Sequence, residues 1–452
     1  MKPMKRYLPV ERWQSRTTFV LALSIAAVGL GNLWRFAWLM GEHGGAPFFF
    51  SYVVCLFLVG VPLLVAEVVL GAHGRGSPFL TLSWATAASG RSRLWLTIAV
   101  IACLAGFLLL VAYILIAGWS LAYAFDLQLG RFAAISLEGS ARILSDQLAA
   151  PSGLLRWQFL VAVVLALVVG AGVRRGLGLL AWITVPLIVT LLAVLIDFAI
   201  EYGDLDAAGK YLFGWQSLDF DRGSFMAALG HALYTLTLGV AVGMSYGAYA
   251  PDKLPIVRSV IAVALFDVVV AVAAGVAIFP LLFASNLMPA EGFGLLFISA
   301  PFAFGNMPFG DLYGALFFLA IVTAALGTAA ALLEPVVSVL EQQFQVPRHY
   351  AAVVMVGLAW ALSALATTDL AGDAGGEGLF LMIDEITSQW LIPGAVLLLA
   401  LFVGWRMPRN LLRTELSREP DILFSLWYFL IRFVAVPVIV FAWLWLLLVP
   451  QN

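Results

Sequence analysis

Residues 26–36 read Ala26-Ala27-Val28-Gly29-Leu30-Gly31-Asn32-Leu33-Trp34-Arg35-Phe36. The stretch sits inside an apolar segment running from about Phe19 to Met40, long enough to cross a bilayer. Glycine weakens helix interiors, and a charge near the bilayer centre costs about 2.5–3.5 kcal/mol on insertion scales. Polar residues at that depth face a cavity or a partner, and irregular backbone there lines a cavity or is buried in protein. A helix that unwinds at membrane depth offers carbonyls to cations and N–H groups to anions. The stretch therefore reads as a transport site.

The rest of the chain agrees with a membrane setting. Its 452 residues are 63% hydrophobic and only 11% charged, with a mean hydropathy of +1.01. Such a composition excludes a soluble globular domain and points to a polytopic α-helical membrane protein. Apolar segments of spanning length fall near 17–40, 46–72, 94–125, 156–173, 177–200, 223–249, 255–284, 309–341, 348–368, 380–405 and 424–449, eleven in all. Cys55 and Cys103 lie inside apolar segments, so neither a disulfide framework nor a metal site is implied. The net charge of −2 singles out no partner, and nothing suggests nucleic acid. The basic N-terminus has no small-residue cleavage site and reads as leading into a retained first helix. With the N-terminus inside, seventeen of the 24 Lys and Arg fall on the cytoplasmic side and five outside. That bias orients the chain in an inner (plasma) membrane, and eleven crossings put the C-terminus outside.

A second segment shares the peculiarity of the first. Residues Gly230 to Gly243, Gly-His-Ala-Leu-Tyr-Thr-Leu-Thr-Leu-Gly-Val-Ala-Val-Gly, interrupt an apolar span with glycines and hydroxyls. It is the sixth segment, five after the first, and enters from the opposite side. Two interrupted helices at matching positions of oppositely oriented halves imply inverted repeats with a binding site between them. One all-α transporter domain, 1–452, then holds a first repeat over 10–200, a second over 223–405 and an extra helix at 424–449. The acidic, aromatic stretch 201–222 and residues 289–301 read as outer loops, and 369–378 as a solvated turn.

The run "AAVGLGNLWRF", with Trp13 before it and "GGAPFF" after it, resembles the neurotransmitter:sodium symporter family, as do "YTLTLG" in the sixth segment and "LLEP" in the eighth. Short loops and the lack of an outer-loop cysteine pair resemble its bacterial branch, the leucine and hydrophobic amino-acid transporters. The resemblance implies a fold of two inverted five-helix repeats with helices 1 and 6 unwound at mid-membrane. It also implies a first sodium site from the carbonyls of Ala27 and Thr235, the Thr235 hydroxyl, the Asn32 side chain and Asp267, completed by the substrate carboxylate. Hard cations favour such oxygen ligands. A second sodium site would take carbonyls of Ile25, Val28 and Ala324 with hydroxyls from segment eight. There the chain departs from the pattern: where two adjacent hydroxyl residues are usual it has Gly327 and Thr328.

By the same resemblance, the substrate carboxylate would meet the N–H groups of Leu30 and Gly31, where a half-helix N-terminus favours anions. Tyr113 would add its hydroxyl. Carbonyls around Ala26, the sixth-helix break near Thr235, and Thr328 would face the amino group. Leu109, Tyr234, Thr237, Val240 and Leu332 would line the side-chain pocket, and Glu67 would hold the unwound sixth helix. Amine-carrying members place an aspartate where this chain has Gly29, so the substrate should bring its own carboxylate. Arg35 and Asp384 would form an outer ion pair above Tyr234, while Trp13 and Tyr249 would plug the inner end. The family's inner ion pair is replaced by Val10 and Gln342, with Arg12, Arg16, Glu334 or Glu341 as substitutes.

The function expected is sodium-coupled, chloride-independent symport of a small zwitterionic amino acid, neutral and hydrophobic, by alternating access, with no organic cofactor. A proton-coupled or weakly sodium-coupled carrier is the alternative raised by Gly327, His231 and Asp267. A sensor that binds without cycling is the one raised by the Val10 and Gln342 change. An enzyme has no support, since no HExxH, Ser/His pair or cysteine cluster occurs.

Overall fold

In hydrocarbon the backbone must satisfy its own hydrogen bonds, so the apolar runs form helices. The computed structural model describes residues 11–216, 219–252, 254–289, 292–372 and 378–448. Among these residues nine helices are long and apolar enough to span a membrane, and one bent pair adds a tenth. We number the spans and their halves in chain order. The pair is α1 (Arg16–Ala27) and α2 (Gly31–Glu42), which meet at 62°. Next come α3 (Ala46–Gly74), α4 (Arg93–Gln128), α5 (Ser152–Gly170) and α6 (Val173–Tyr202). The sixth segment forms two pieces, α7 (Arg222–Thr235) and α8 (Val242–Ala248), neither of which is of spanning length alone. Then follow α9 (Ile256–Ala284), α10 (Gly310–Gln343), α11 (Arg348–Leu370), α12 (Leu379–Arg406) and α13 (Asp421–Trp445). Beyond one isolated bridge between Gly45 and Trp215, the described residues hold no β-structure.

The first break sits at the centre of this bundle. Packed around α1 are α6, α9 and α10, and α10 in turn lies along α4. The two pieces of the sixth segment both lean on α3. Local chemistry sets the helix starts. Ser15 caps α1 by accepting from the Thr18 amide at 3.1 Å. Asp221 and Ser224 form a reciprocal capping box at the start of α7. The hydrogen bonds from Ser224 hold the Asp221 carboxyl below the usual carboxylate range.

Some boundaries differ from the sequence expectation. The fourth segment begins at Ser152 and not near 156, because Arg156 is tolerated one turn into the helix, where its Nε donates to the Ser152 carbonyl at 3.3 Å. The expected 201–222 loop contains a helix, Leu205–Phe213, capped by Asp204. The expected 289–301 loop overlaps another, Leu295–Gly305, and residues 217–218 and 290–291 of the two expected loops lie outside the described residues. Short helices at Pro78–Ala88, Leu137–Ala149 and Arg409–Glu415 were not expected from the apolar pattern. Residues 373–377 of the expected 369–378 turn lie outside the described residues.

Candidate ion and substrate site

The first helix stops because Val28 leaves helical geometry, with φ −70° and ψ 84°. Three residues later the chain resumes as a π-helical turn over Gly31–Arg35. The Asn32 Oδ1 turns back to accept from the Gly29 amide at 3.2 Å, closing the break from within. At the second break, Thr237, Gly239 and Ala241 all lie in the left-handed region, with φ of 51°, 71° and 62°. A β-branched residue there is a strained outlier that persists only when its surroundings hold it. Glu67 of α3 supplies the hold. Its Oε1 accepts from the Gly239 amide at 2.8 Å and its Oε2 from the Gly243 amide at 3.1 Å.

Both breaks meet at Asp267 of α9, which is fully buried. The Asn32 Nδ2 donates to Asp267 Oδ1 at 2.7 Å, and the Thr235 hydroxyl lies 3.0 and 2.9 Å from its two carboxylate oxygens. Tyr52 of α3 donates to Asp267 Oδ2 at 3.1 Å. Asn32, Thr235 and Asp267 are thus brought together with Ala27, which borders the same small cavity as Asn32 and Thr235. Tyr52 was missed, since one tyrosine in an apolar run reads as an interface aromatic. His231 does not reach Asp267. Its ring lies 5.4 Å from both Phe36 and Tyr52, and neither nitrogen has a hydrogen-bond partner among the described residues.

The same cavity holds about 10 Å³, room for one water at most. Gly29, Gly31, Leu109, Tyr113, Tyr234 and Thr237 line it too. A Cβ on Gly29 would lie 2.3 Å from the Tyr113 hydroxyl, so any side chain there must displace it. The Tyr113 hydroxyl faces the Leu30 amide and the side chains of Thr328 and Tyr234. At the apolar end, Val240 and Leu332 pack against Gly106 of α4, a contact the sequence did not single out. Ala26 is buried on the α1 side of the break.

The other side of the first break looks different. Thr328 of α10 donates toward the carbonyls of Ile25 at 3.2 Å and Val28 at 3.4 Å. Beside it, a Cβ on Gly327 would lie 2.2 Å from Ile25 Cγ1. The Ile25 side chain therefore occupies the space that a second hydroxyl residue would need. Ala324 is buried one turn away on the same helix.

The two ends of the pathway also differ. At one end Trp13 is sealed in: its amide donates to the Tyr249 carbonyl at 2.9 Å and its indole to the Tyr246 carbonyl at 3.1 Å. The Tyr249 hydroxyl donates to Glu334 Oε1 at 2.5 Å. Arg348 pairs with Glu334 and, at 3.2 Å, with Glu341. Arg12 pairs with Asp252 at 2.5 Å, and Arg16 reaches the Ser259 hydroxyl at 3.2 Å. Gln342 is used elsewhere, accepting from the Ser77 amide at 2.7 Å. Val10 lies outside the described residues. At the other end Arg35 and Asp384 make no ion pair. Arg35 instead sits over the Tyr234 ring at 5.7 Å, and both charged residues are exposed, where pairing gains little.

A family model described as the sodium:neurotransmitter symporter family matches residues 10–131 and 138–451. The chain belongs to that family. It is 30% identical over 442 residues to YhdH of Bacillus subtilis, described as an uncharacterized sodium-dependent transporter, covering 95% of this chain and 96% of that one. The sodium-dependent dopamine transporter of Bos taurus is 23% identical over 461 residues, 87% of this chain and 63% of that protein. Among solved structures, MhsT in complex with L-phenylalanine shares the fold with a TM-score of 0.86 and 30% identity, over 96% of this chain and 99% of that chain. A sodium-dependent transport function and a multi-pass helical membrane fold follow from these relationships. The relatives are transporters and not enzymes.

Proposed function

We propose that this symporter imports a small neutral, hydrophobic L-amino acid with sodium by alternating access, independently of chloride. The observation that carries the reading is the meeting of both helix breaks at Asp267, through Asn32 and Thr235. Sodium would sit among the Asn32 and Thr235 side chains, the Ala27 and Thr235 carbonyls and the Asp267 carboxylate. The substrate carboxylate would complete that shell from the Leu30 and Gly31 side, beside Tyr113. Gly29, pressed by the Tyr113 hydroxyl, leaves no room for an amine-binding aspartate and so favours an amino acid over an amine. Leu109, Tyr234, Thr237, Val240 and Leu332 would receive an apolar side chain once the site opens. The L-phenylalanine bound to MhsT supports that size class.

In this reading α7 and α8 together make the sixth crossing, which brings the count to eleven, and the repeats are 10–200 and 223–405. The N-terminus is cytoplasmic and the C-terminus outside, in the plasma membrane. Arg35 and Asp384 would close over Tyr234 when substrate binds, while the Trp13, Tyr249, Glu334 and Arg348 cluster opens in turn. Ile25, Val28, Ala324 and Thr328 would form at most a weak second sodium site.

Proteoliposomes with an imposed inward sodium gradient test the proposal. Labelled phenylalanine or leucine should accumulate with sodium and fail to do so without it. One alternative is a proton-coupled carrier, in which the buried Asp267 carboxylate, met by Asn32, Thr235 and Tyr52, would take the proton. Uptake driven by a pH gradient in sodium-free buffer would identify it. Binding without uptake under any gradient would identify a sensor.

A further inference from the structure

Far from the proposed transport site, arginines of the short Arg409–Glu415 helix and of α13 stack against aromatic rings on one face of α13. The Arg413 guanidinium lies 5.2 Å from the Phe424 ring. Arg409 lies 5.5 Å from both Phe424 and Tyr428, whose near-parallel rings have centroids 6.0 Å apart. Arg432 lies 5.1 Å from Tyr428, 5.3 Å from Phe433 and 4.7 Å from Trp405 at the end of α12. Phe424, Tyr428 and Arg432 are spaced four apart, so the ladder climbs one helix face from its first turn into the apolar span.

The charges along the ladder are unevenly balanced. Arg413 is satisfied by Asp421 at 2.6 Å and by the Leu416 and Glu419 carbonyls. Neither Arg409 nor Arg432 has a carboxylate partner among the described residues. Arg432 donates only to the Tyr428 hydroxyl at 3.2 Å, and its Nε is buried with no partner there. A cation at membrane depth is costly and is normally paired or allowed to reach the surface. Arg432 has no carboxylate to pair with: Trp405, Tyr428 and Phe433 flank its part-exposed guanidinium, and only its Nε is buried without a partner among the described residues. Tyr428 serves as a shared floor between the two unpaired guanidinium groups. Trp405, Phe429 and Phe433 beside them are about half exposed, as residues facing acyl chains are.

We propose that this ladder is a binding site for an anionic phospholipid of the cytoplasmic leaflet, its phosphate held between Arg409 and Arg432 over Tyr428 and its acyl chains along Trp405, Phe429 and Phe433. A phosphate carries the acceptor oxygens that an arginine fork flanked by aromatic rings can engage, and basic pockets at the cytoplasmic ends of spanning helices suit such headgroups. The lipid is the anion available at that depth, whereas a free phosphate cannot enter an apolar face. The inference rests on α12 and α13 crossing a bilayer in the proposed orientation and is independent of what is transported.

Native mass spectrometry of the delipidated full chain, titrated with phosphatidylglycerol, cardiolipin, phosphatidylcholine or inorganic phosphate, reads the site directly. The wild type should retain phosphatidylglycerol or cardiolipin at least tenfold more tightly than phosphatidylcholine and should not retain inorganic phosphate. Arg409→Gln with Arg432→Gln should erase that preference, while Arg156→Gln on the opposite side should leave it unchanged. Arg409→Gln alone, a change in the short Arg409–Glu415 helix, should lower anionic-lipid retention several-fold and covers the case in which Arg432→Gln fails to fold. Equal retention of phosphatidylcholine and phosphatidylglycerol overturns the proposal. So does an undiminished preference in the double or the Arg409 variant, or a lipid-free dimer that covers this face.

Discussion

The two sides of the first helix break face different neighbours, and the contrast bears on how the two proposed ion sites would differ. Toward α9, Asn32 and Thr235 converge on a buried carboxylate, with Tyr52 as a further donor. Toward α10, one hydroxyl, Thr328, bonds the carbonyls of Ile25 and Val28, and the Ile25 side chain fills the space beside Gly327. The first arrangement has charge and oxygen to spare once a cation enters. The second has spent its hydroxyl on its own carbonyls and holds an apolar group where another ligand would stand. Isoleucine at 25 and glycine at 327 fit each other as a matched pair. One break can therefore be asymmetric in ion binding although its backbone is open on both sides.

The largest effect expected is on the carboxylate side. Asn32→Leu should abolish sodium-dependent binding, a loss of roughly a hundredfold or more, because an under-coordinated cation in a dry site cannot be made good by solvent. Scintillation proximity binding with and without sodium measures it, and full binding by the variant in sodium-free buffer breaks the comparison. Next in size is the swap that should make the two sides alike. Ile25→Gly with Gly327→Ser clears the apolar plug and adds the missing hydroxyl. The Hill coefficient for sodium should rise from about 1 toward 2, since it is bounded by the number of coupled sites. Ile25→Gly alone should lower stability without raising the coefficient, as cavities in packed cores do. A coefficient already near 2 in the native protein would falsify the asymmetry.

Much of the carboxylate side was legible in the sequence, because glycines, an asparagine and an arginine inside an apolar run break a simple rule about membrane depth. The Thr328 side was legible only as a departure. Gly327 could be seen to lack a hydroxyl, but that Ile25 enters the vacated space depends on how α1 and α10 cross, which no periodicity reveals. Tyr52 escaped for a related reason: its role comes from α3 passing beside α9. The spanning helices were readable from hydropathy, whereas Pro78–Ala88, Leu137–Ala149 and Leu205–Phe213 are short pieces whose burial comes from the bundle ends they cover. The closed end was readable in Trp13 and Tyr249. The Glu334–Arg348 pair was only half visible: Glu334 stood among the substitutes for the missing inner pair, whereas Arg348, which reaches back to it, did not.

A smaller effect separates the two sides again. Thr328→Val keeps the shape of the side chain and removes one hydroxyl bonded to carbonyls, worth about 1 kcal/mol. Sodium affinity should fall only about fivefold, measured by sodium titration of binding at saturating amino acid. A loss as large as that of Asn32→Leu would mean that the Thr328 side holds an essential cation.

The smallest effect expected is none at all, and it bears on what balances the sodium charge. A cation in a buried site needs a nearby negative charge, from either a protein carboxylate or a bound anion. In the proposed site Asp267 would supply it, within hydrogen-bond distance of both Asn32 and Thr235. Four residues along α9, one turn away on the same face, Ala271 is fully buried and offers no donor to an anion. The Tyr52 hydroxyl already donates to Asp267. Adding chloride would place a second negative charge beside a buried carboxylate, an arrangement that like-charge repulsion opposes. Uptake in gluconate should therefore equal uptake in chloride at every sodium concentration. A several-fold loss on removing chloride would show that Asp267 does not carry the balancing charge, and the ion chemistry of the two sides would then have to be redrawn around an anion.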